Sequence, residues 1–332
     1  DDPQFVGPTV VLDHPRLRKE EFFGPLLNVI PYDSDEEVMK IIGESSYGLT
    51  FSILSSSPRI RALYLVRDLE RGTGVMAGNL YSELPSVGAE VAVNPFGGPG
   101  SNLSGTGSKT GGPESIMTYL RPKKDLSPEL KGRLERVPTE AEWRRVAKKK
   151  GNDFRTVTPT ELQYPGRTDL LERTPLGRGL IVVDERMGLQ TLERLLYAHL
   201  DVGNEVRLLV HRSREAEVGP LLSRLQSMGI DQTRLRLSRT YSTLATLNGS
   251  PHDPSIDPAE FQWVHLDTDL SPPARFYQIF RDPAQSERQR FITRILHAPP
   301  WIDDDHLRAR LQIHRVLSIN TQNSGDIEKV EI

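Results

Sequence analysis

The sequence predicts an α/β protein. Short apolar runs alternate with amphipathic segments through the first third, and a second alternation starts at the continuous apolar run Gly179 to Asp184. At 332 residues the chain is also long for one hydrophobic core, so two domains are expected. In order, Thr9 to Leu12 and Leu27 to Pro31 read as buried strands. Ser34 with Glu37 forms a capping box, which supplies acceptors to the orphan N–H groups opening a helix through about Gly43. Phe51 to Leu54 is the next strand. Ser57 caps a helix with Pro58 at its first position, where the missing proline N–H costs nothing. Ile60, Leu63 and Val66 form its apolar stripe and Gly72 its stop.

Residues 121 to 151 are rich in charge and poor in large apolar side chains. A nucleic-acid or partner arm and a solvated helical linker both have this composition, and the interleaved acids favour the linker. Then Gly179 to Asp184 ("GLIVVD"), the helix "LQTLERLLYAHL" and Glu205 to His211 ("EVRLLVH") follow one another. Ser213 caps a helix stopping near Gly229, and Gln262 to Asp267 is a further strand. This βαβαβ rhythm predicts a parallel sheet with helices on its faces. The turn after Val183 reads "DERMGLQ" and lacks G-x-G-x-x-G, so the Rossmann-like rhythm does not imply a working dinucleotide site.

Composition excludes several classes. With 42 basic and 45 acidic residues the net charge is −3, which gives no concentrated positive face for nucleic acid. No apolar run approaches the roughly 20 residues that span a bilayer, and no signal peptide is visible. There is no cysteine, so disulfides, thiolate zinc sites and a cysteine nucleophile are excluded within this chain; a cytoplasmic location is compatible with that. The histidines show no metal-ligand spacing. In "DDDH" at 303 to 306, Asp303 or Asp304 is better read as capping the following helix than as a metal ligand.

The stretch Ser104 to Gly112, "SGTGSKTGG", carries the glycines, lysine and hydroxyl of a nucleotide cradle. Ser108 separates Gly107 from Lys109, however, and the loop is fed by "NPFGGPG" instead of a buried strand, which argues against a Walker loop. Two readings stay open. The glycines allow tight turns with positive φ, or the consecutive backbone N–H groups form a nest for a carboxylate.

Four blocks then share an order and spacing: "EEFFGP" at 20 to 25, "YGLTFSI" at 47 to 53, "NPFGG" at 94 to 98 and "SGTGSKTGGP" at 104 to 113. Together they resemble the C-terminal part of the aldehyde dehydrogenase catalytic domain. The last block resembles the glutamate-semialdehyde (1-pyrroline-5-carboxylate) branch, including its bifunctional proline-utilisation members. "YPGRTDLLERTPLGRGLIVV" at 164 to 183 resembles the entry into the extra C-terminal domain of the long proline-utilisation proteins. "HRVLSINTQNSGD" at 314 to 326 resembles their closing strand and tail, with Gln322, Asn323 and Ser324 replacing the usual small residues.

The resemblance implies an α/β fold with the C-terminal part of an aldehyde dehydrogenase catalytic domain at 1–120. A charged helical linker at 121–160 follows, then a structural Rossmann-like α/β domain at 161–311 and a closing strand and tail at 312–332. It implies NAD-dependent oxidation of glutamate semialdehyde to glutamate, with FAD only if a proline dehydrogenase domain is attached. In this family a cysteine attacks the aldehyde, because a thiohemiacetal is easily oxidised and a thioester easily hydrolysed. That nucleophile, the general base and the phosphate-binding part of the cofactor domain are expected upstream of Asp1. The chain is accordingly expected to be a fragment or processed product, inactive alone and without a catalytic residue of its own.

By residue, the resemblance makes Glu21 the acceptor for the nicotinamide ribose hydroxyls and Phe23 the aromatic beside the ring. Gly111 and Gly112 become the backbone that holds the substrate carboxylate, and Phe96 a wall of the substrate pocket. The implied partners are glutamate semialdehyde and the upstream domains; a homo-oligomer is open, and neither nucleic acid nor a transmembrane segment is expected. The rival reading is a cysteine-free pseudoenzyme or interaction module that keeps the fold.

Overall fold

A computed structural model of the chain describes residues 6–18, 22–44, 48–65, 68–69, 74–98, 109–113, 115–118, 136–242, 261, 263–267, 294–298, 308 and 311–321. Strand β1 (Thr9–Leu12) pairs in parallel with β2 (Leu26–Val29). Both strands form as expected, but Val10, Leu12, Leu27 and Val29 are exposed instead of buried, because no second layer among the described residues covers this ribbon. Helix α1 (Asp35–Glu44) opens with Ser34 Oγ accepting the Glu37 N–H at 3.2 Å. The Glu37 carboxylate reaches one residue further back than a capping box requires, to the Asp33 N–H at 2.9 Å. Strand β3 (Thr50–Ile53), helix α2 (Pro58–Leu65) and strand β4 (Asn79–Ser82) complete the first unit. Val66 and Gly72, expected on and after α2, fall outside the described residues.

Helix α3 (Glu140–Lys148) carries a reciprocal capping box between Thr139 and Glu142. Its apolar side is not solvated: Trp143 and Val146 are fully buried, with the Trp143 indole N–H donating to Glu193 at 3.1 Å. After it come β5 (Thr156–Pro159), β6 (Arg167–Pro175), β7 (Arg178–Val183), α4 (Leu189–Asp201), β8 (Glu205–His211), α5 (Glu215–Ser227), β9 (Leu235–Tyr241), β10 (Trp263–Asp267), β11 (Arg294–Ala298) and β12 (Gln312–Asn320). Ser213 does not cap α5. The chain enters that helix through a 3-10 turn, Arg212–Arg214, whose acceptor is the His211 side chain.

Two five-stranded sheets result. The first, in order β11-β10-β7-β8-β9, is parallel throughout, which in sequence terms is the doubly wound order 3-2-1-4-5 read from one edge. Its central strand β7 is buried continuously from Gly179 to Val183, so both of its faces are covered. Leu192, Leu195, Leu196 and Leu200 on α4 pack into the same core, each burial contributing about 1.5–3 kcal/mol. The second sheet, β3-β4-β12-β6-β5, is mixed: β3, β4 and β12 are parallel, and β12–β6 and β6–β5 antiparallel. Strand β12 therefore joins the first unit to the strands that lead into the second. Leu80 and Leu317 share a core there with Tyr64 and Leu170.

Candidate functional site

The site begins with two turns held together by backbone. Phe96 and Thr110 exchange both hydrogen bonds, Phe96 N–H to Thr110 O at 3.0 Å and Thr110 N–H to Phe96 O at 2.7 Å. This isolated bridge sets the turn Lys109–Gly112 beside Phe96, whose residue is 37% exposed. The turn closes through Gly112 N–H to Lys109 O at 2.9 Å. Gly111, third in the turn, has φ +77°, the left-handed conformation that such a tight turn needs and that glycine alone adopts freely. Its carbonyl accepts the Ala92 N–H at 2.9 Å, so a third segment is tied in.

Lys109 turns inward, away from any ligand face. It is buried, with Nζ donating to Asn79 Oδ1 at 2.8 Å and to Gly97 O. Asn79 in turn donates from Nδ2 to Asn94 O at 3.3 Å and Pro95 O at 3.1 Å. Lys109 and Asn79 thus staple the 94–98 turn and the 109–112 turn onto the start of β4. Burial, and then the positive charge of Arg315, push the Lys109 ammonium down to about 7. Sequence reasoning weighed this lysine only as a charge facing a ligand and did not find Asn79 at all. The one available signal was a polar residue opening the buried segment "NLYS".

Of the residues singled out from sequence, the structure brings together Phe96, Gly111 and Gly112. Phe23 precedes β2 on the separate two-stranded ribbon and is 98% exposed. Glu21 lies outside the described residues, as do 104–108 of the glycine stretch and the "DDDH" segment. Among the described residues no group of three or more His, Asp or Glu could hold a metal, and no helix is long and apolar enough to cross a membrane.

The doubly wound sheet offers a second place to look, the turn between β7 and α4. There Asp184 Oδ1 accepts the N–H groups of Arg186 and Met187 at 3.0 and 2.7 Å. Arg214 donates to Met187 O at 2.9 Å. In a dinucleotide-binding turn, backbone N–H groups face the pyrophosphate. Here a carboxylate of the turn itself takes them.

Comparison with known proteins places these features. The aldehyde dehydrogenase family model matches residues 1–124. The bifunctional protein PutA of Escherichia coli is 36% identical over 144 residues, covering 42% of this chain and 10% of that protein. The 1-pyrroline-5-carboxylate dehydrogenase of Bacillus mycoides is 36% identical over 124 residues, covering 36% of this chain and 22% of that protein. The chain thus spans a tenth to about a fifth of the length of these relatives. The solved structure of Proline Utilization A from Corynebacterium freiburgense matches 96% of this chain and 28% of its own, with a TM-score of 0.54 at 18% identity, a likeness of fold. The chain therefore resembles part of a bifunctional PutA-type 1-pyrroline-5-carboxylate dehydrogenase, its first 124 residues matching the aldehyde dehydrogenase family.

Proposed function

We propose that this chain supplies the C-terminal part of an NAD-dependent glutamate-semialdehyde dehydrogenase, in which the turn Lys109–Gly112 receives the carboxylate end of the substrate. The observation that carries the reading is the Phe96–Thr110 bridge, which sets an aromatic wall beside a glycine turn lacking side chains at 111 and 112. A small acid needs both, backbone donors for its carboxylate and an apolar face for its methylenes. Because Gly112 N–H is already donated within the turn, the Gly111 N–H is the donor left to lead the contact. Phe96 orients the chain so that the aldehyde points away from the turn.

NAD would accept the hydride. Of the two residues proposed to meet it, Glu21 lies outside the described residues and Phe23 is exposed without a cradle around it, so no step is derived through the dinucleotide. The chain has no cysteine, and alone it is proposed not to oxidise aldehydes.

The test is a specificity ratio, measured in the longer protein that supplies the thiol. Gly111→Val is expected to lower kcat/KM for glutamate semialdehyde at least about tenfold relative to a neutral aldehyde of similar length, because a β-branched side chain blocks close approach and resists positive φ. Equal losses for both substrates would reduce the turn to scaffolding. Aldehyde oxidation by the 332-residue chain alone would overturn the fragment reading.

A further inference from the structure

One buried chain of polar groups in the doubly wound sheet plays no part in the proposed function. Gly177 N–H donates to Asn204 Oδ1 at 3.2 Å, which fixes the orientation of that amide. Its Nδ2 then faces Leu311 O at 2.9 Å and His199 Nδ1 at 3.2 Å. An amide NH₂ only donates, so His199 carries its proton on Nε2 and not on Nδ1. Nε2 lies 3.1 Å from His265 Nδ1, which must accept, so the second ring also holds its proton on Nε2. Hydrogen-bond direction alone therefore runs one way, from Asn204 through His199 to His265, with both rings neutral.

The surroundings leave little room for another state. His199 is fully buried and stacked on Trp263 with ring centroids 3.8 Å apart. The Trp263 indole N–H donates to Gly177 O at 3.0 Å, closing the group on itself. A proton on His199 Nδ1 would point N–H at N–H of Asn204. The amide cannot flip to accept it without losing both Gly177 and Leu311. A proton on His265 Nδ1 would meet the His199 Nε2–H in the same way. Among the described residues, Asp201 on α4 is engaged with Lys149 and Arg308, and Glu205 on β8 with Arg178 and Arg207. Burial, and then His265, hold the His199 ring well below its ordinary value.

The chain also has an unusual reach. Gly177 precedes β7, His199 lies in the last turn of α4, Asn204 precedes β8, His265 lies on β10, and Leu311 immediately precedes β12. We propose that the Asn204–His199–His265 chain is an acid-sensitive latch, holding the start of β12 against the doubly wound sheet and releasing it when either imidazole takes up a proton. Because Val316 N–H on β12 donates to Gly78 O, next to Asn79, release at Leu311 loosens the strand beside the Lys109 staple. The latch stands independently of the proposed function.

The sign follows from linkage. Unfolded histidines titrate near about 6.5, whereas the folded rings stay neutral, so the latch is at full strength above that pH and weakens below it. Each ring contributes up to about tenfold in the opening equilibrium per pH unit. The experiment is imidazole ¹⁵N NMR together with amide hydrogen exchange on the full chain, from about pH 8 to about pH 5. Both rings should keep the neutral Nε2–H signature until the amides of Gly177 and of the first residues of β12 begin to exchange, the two events coinciding. Rings that titrate reversibly near about 6.5 while that exchange stays unchanged would overturn the latch.

Asn204→Asp sharpens the test. Its carboxylate keeps the Gly177 bond and can accept from a protonated His199, but it has no N–H for Leu311 O, so protection at the start of β12 should be low already at neutral pH and acid should no longer lower it. Protection in this variant that still falls with acid as it does in the unaltered chain would show that Asn204 does not transmit the protonation, and would sink the idea. Should that variant not fold, the titration of the unaltered chain decides alone.

Discussion

Arg315 on β12 stands directly opposite Glu172 on β6, and the two form an ion pair with both side chains fully buried. Glu172 also accepts from Arg155 at 2.6 Å. Arg315 uses the rest of its fork on backbone, donating to Val75 O and, at 2.9 Å, to Leu65 O at the end of α2. One guanidinium thus satisfies a carboxylate from one unit and two carbonyls from the other. Arg315→Ala is expected to cost about 3–5 kcal/mol, since it strands buried acceptors as well as charge. Arg315→Lys should recover little of this, because a point ammonium cannot reach three acceptors in one plane. Urea unfolding of the three proteins checks it; full rescue by lysine would mean that charge alone matters.

Lys109 gives a pH dependence of definite sign. Its folded ammonium lies at about 7, well below the ordinary value of about 10.4 in an unfolded chain. Between these values the unfolded state binds more protons, so stability should rise with pH from about 7 toward about 10, by at most about 1.4 kcal/mol per unit. Lys109→Met should abolish that rise while leaving the slope below neutrality unaltered. The readout is the denaturation midpoint of both proteins at about pH 7.5 and about pH 9.5; parallel curves would show that the amine keeps its charge when folded.

Two glycines near the same staple should behave differently. A Cβ at Gly78 would lie 1.9 Å from Gly97 O, a backbone atom that cannot step aside. Gly111→Ala meets Val91 less tightly, at 3.0 Å from Cγ2 and 3.1 Å from Cα, but has to hold φ +77°. Gly78→Ala is expected to cost about 3 kcal/mol by overpacking, and Gly111→Ala about 1–2 kcal/mol by left-handed strain. Thermal unfolding ranks the two; the opposite order would mean that the 94–98 turn yields easily.

The parts of this fold that could be read from the sequence are those with local causes. The run from Gly179 to Asp184 and the periodic "LQTLERLLYAHL" mark β7 and α4 because each is buried by neighbours within one βαβ unit. Strand β6 gives no such signal. It buries Asp169 and Glu172, charged residues that Ser318 and Arg315 meet from 149 and 143 residues away, alongside the nearer Arg167 and Arg155. Strand β4 is hidden for a similar reason, since Asn79 is polar on behalf of Lys109, 30 residues on. The glycine stretch shows the same divide. Its motif marks Gly111 and Gly112, while the inward direction of Lys109 depends on partners that no local pattern names.

The position of β12 has a consequence for the timing of folding. Its neighbours in the mixed sheet are β4, more than two hundred residues earlier, and β6, and Arg315 bonds to Leu65 across 250 residues. During synthesis β3 and β4 emerge well before β12, and the β4 edge that β12 covers stays without it until β12 has been made. The doubly wound sheet, encoded in between, can assemble meanwhile from nearer contacts. Pairing at such separation is entropically slow, and a waiting edge is a template for other chains. The insertion of β12 is therefore a step before which this sheet edge is exposed to aggregation, and slow translation through the residues before it would prolong that exposure.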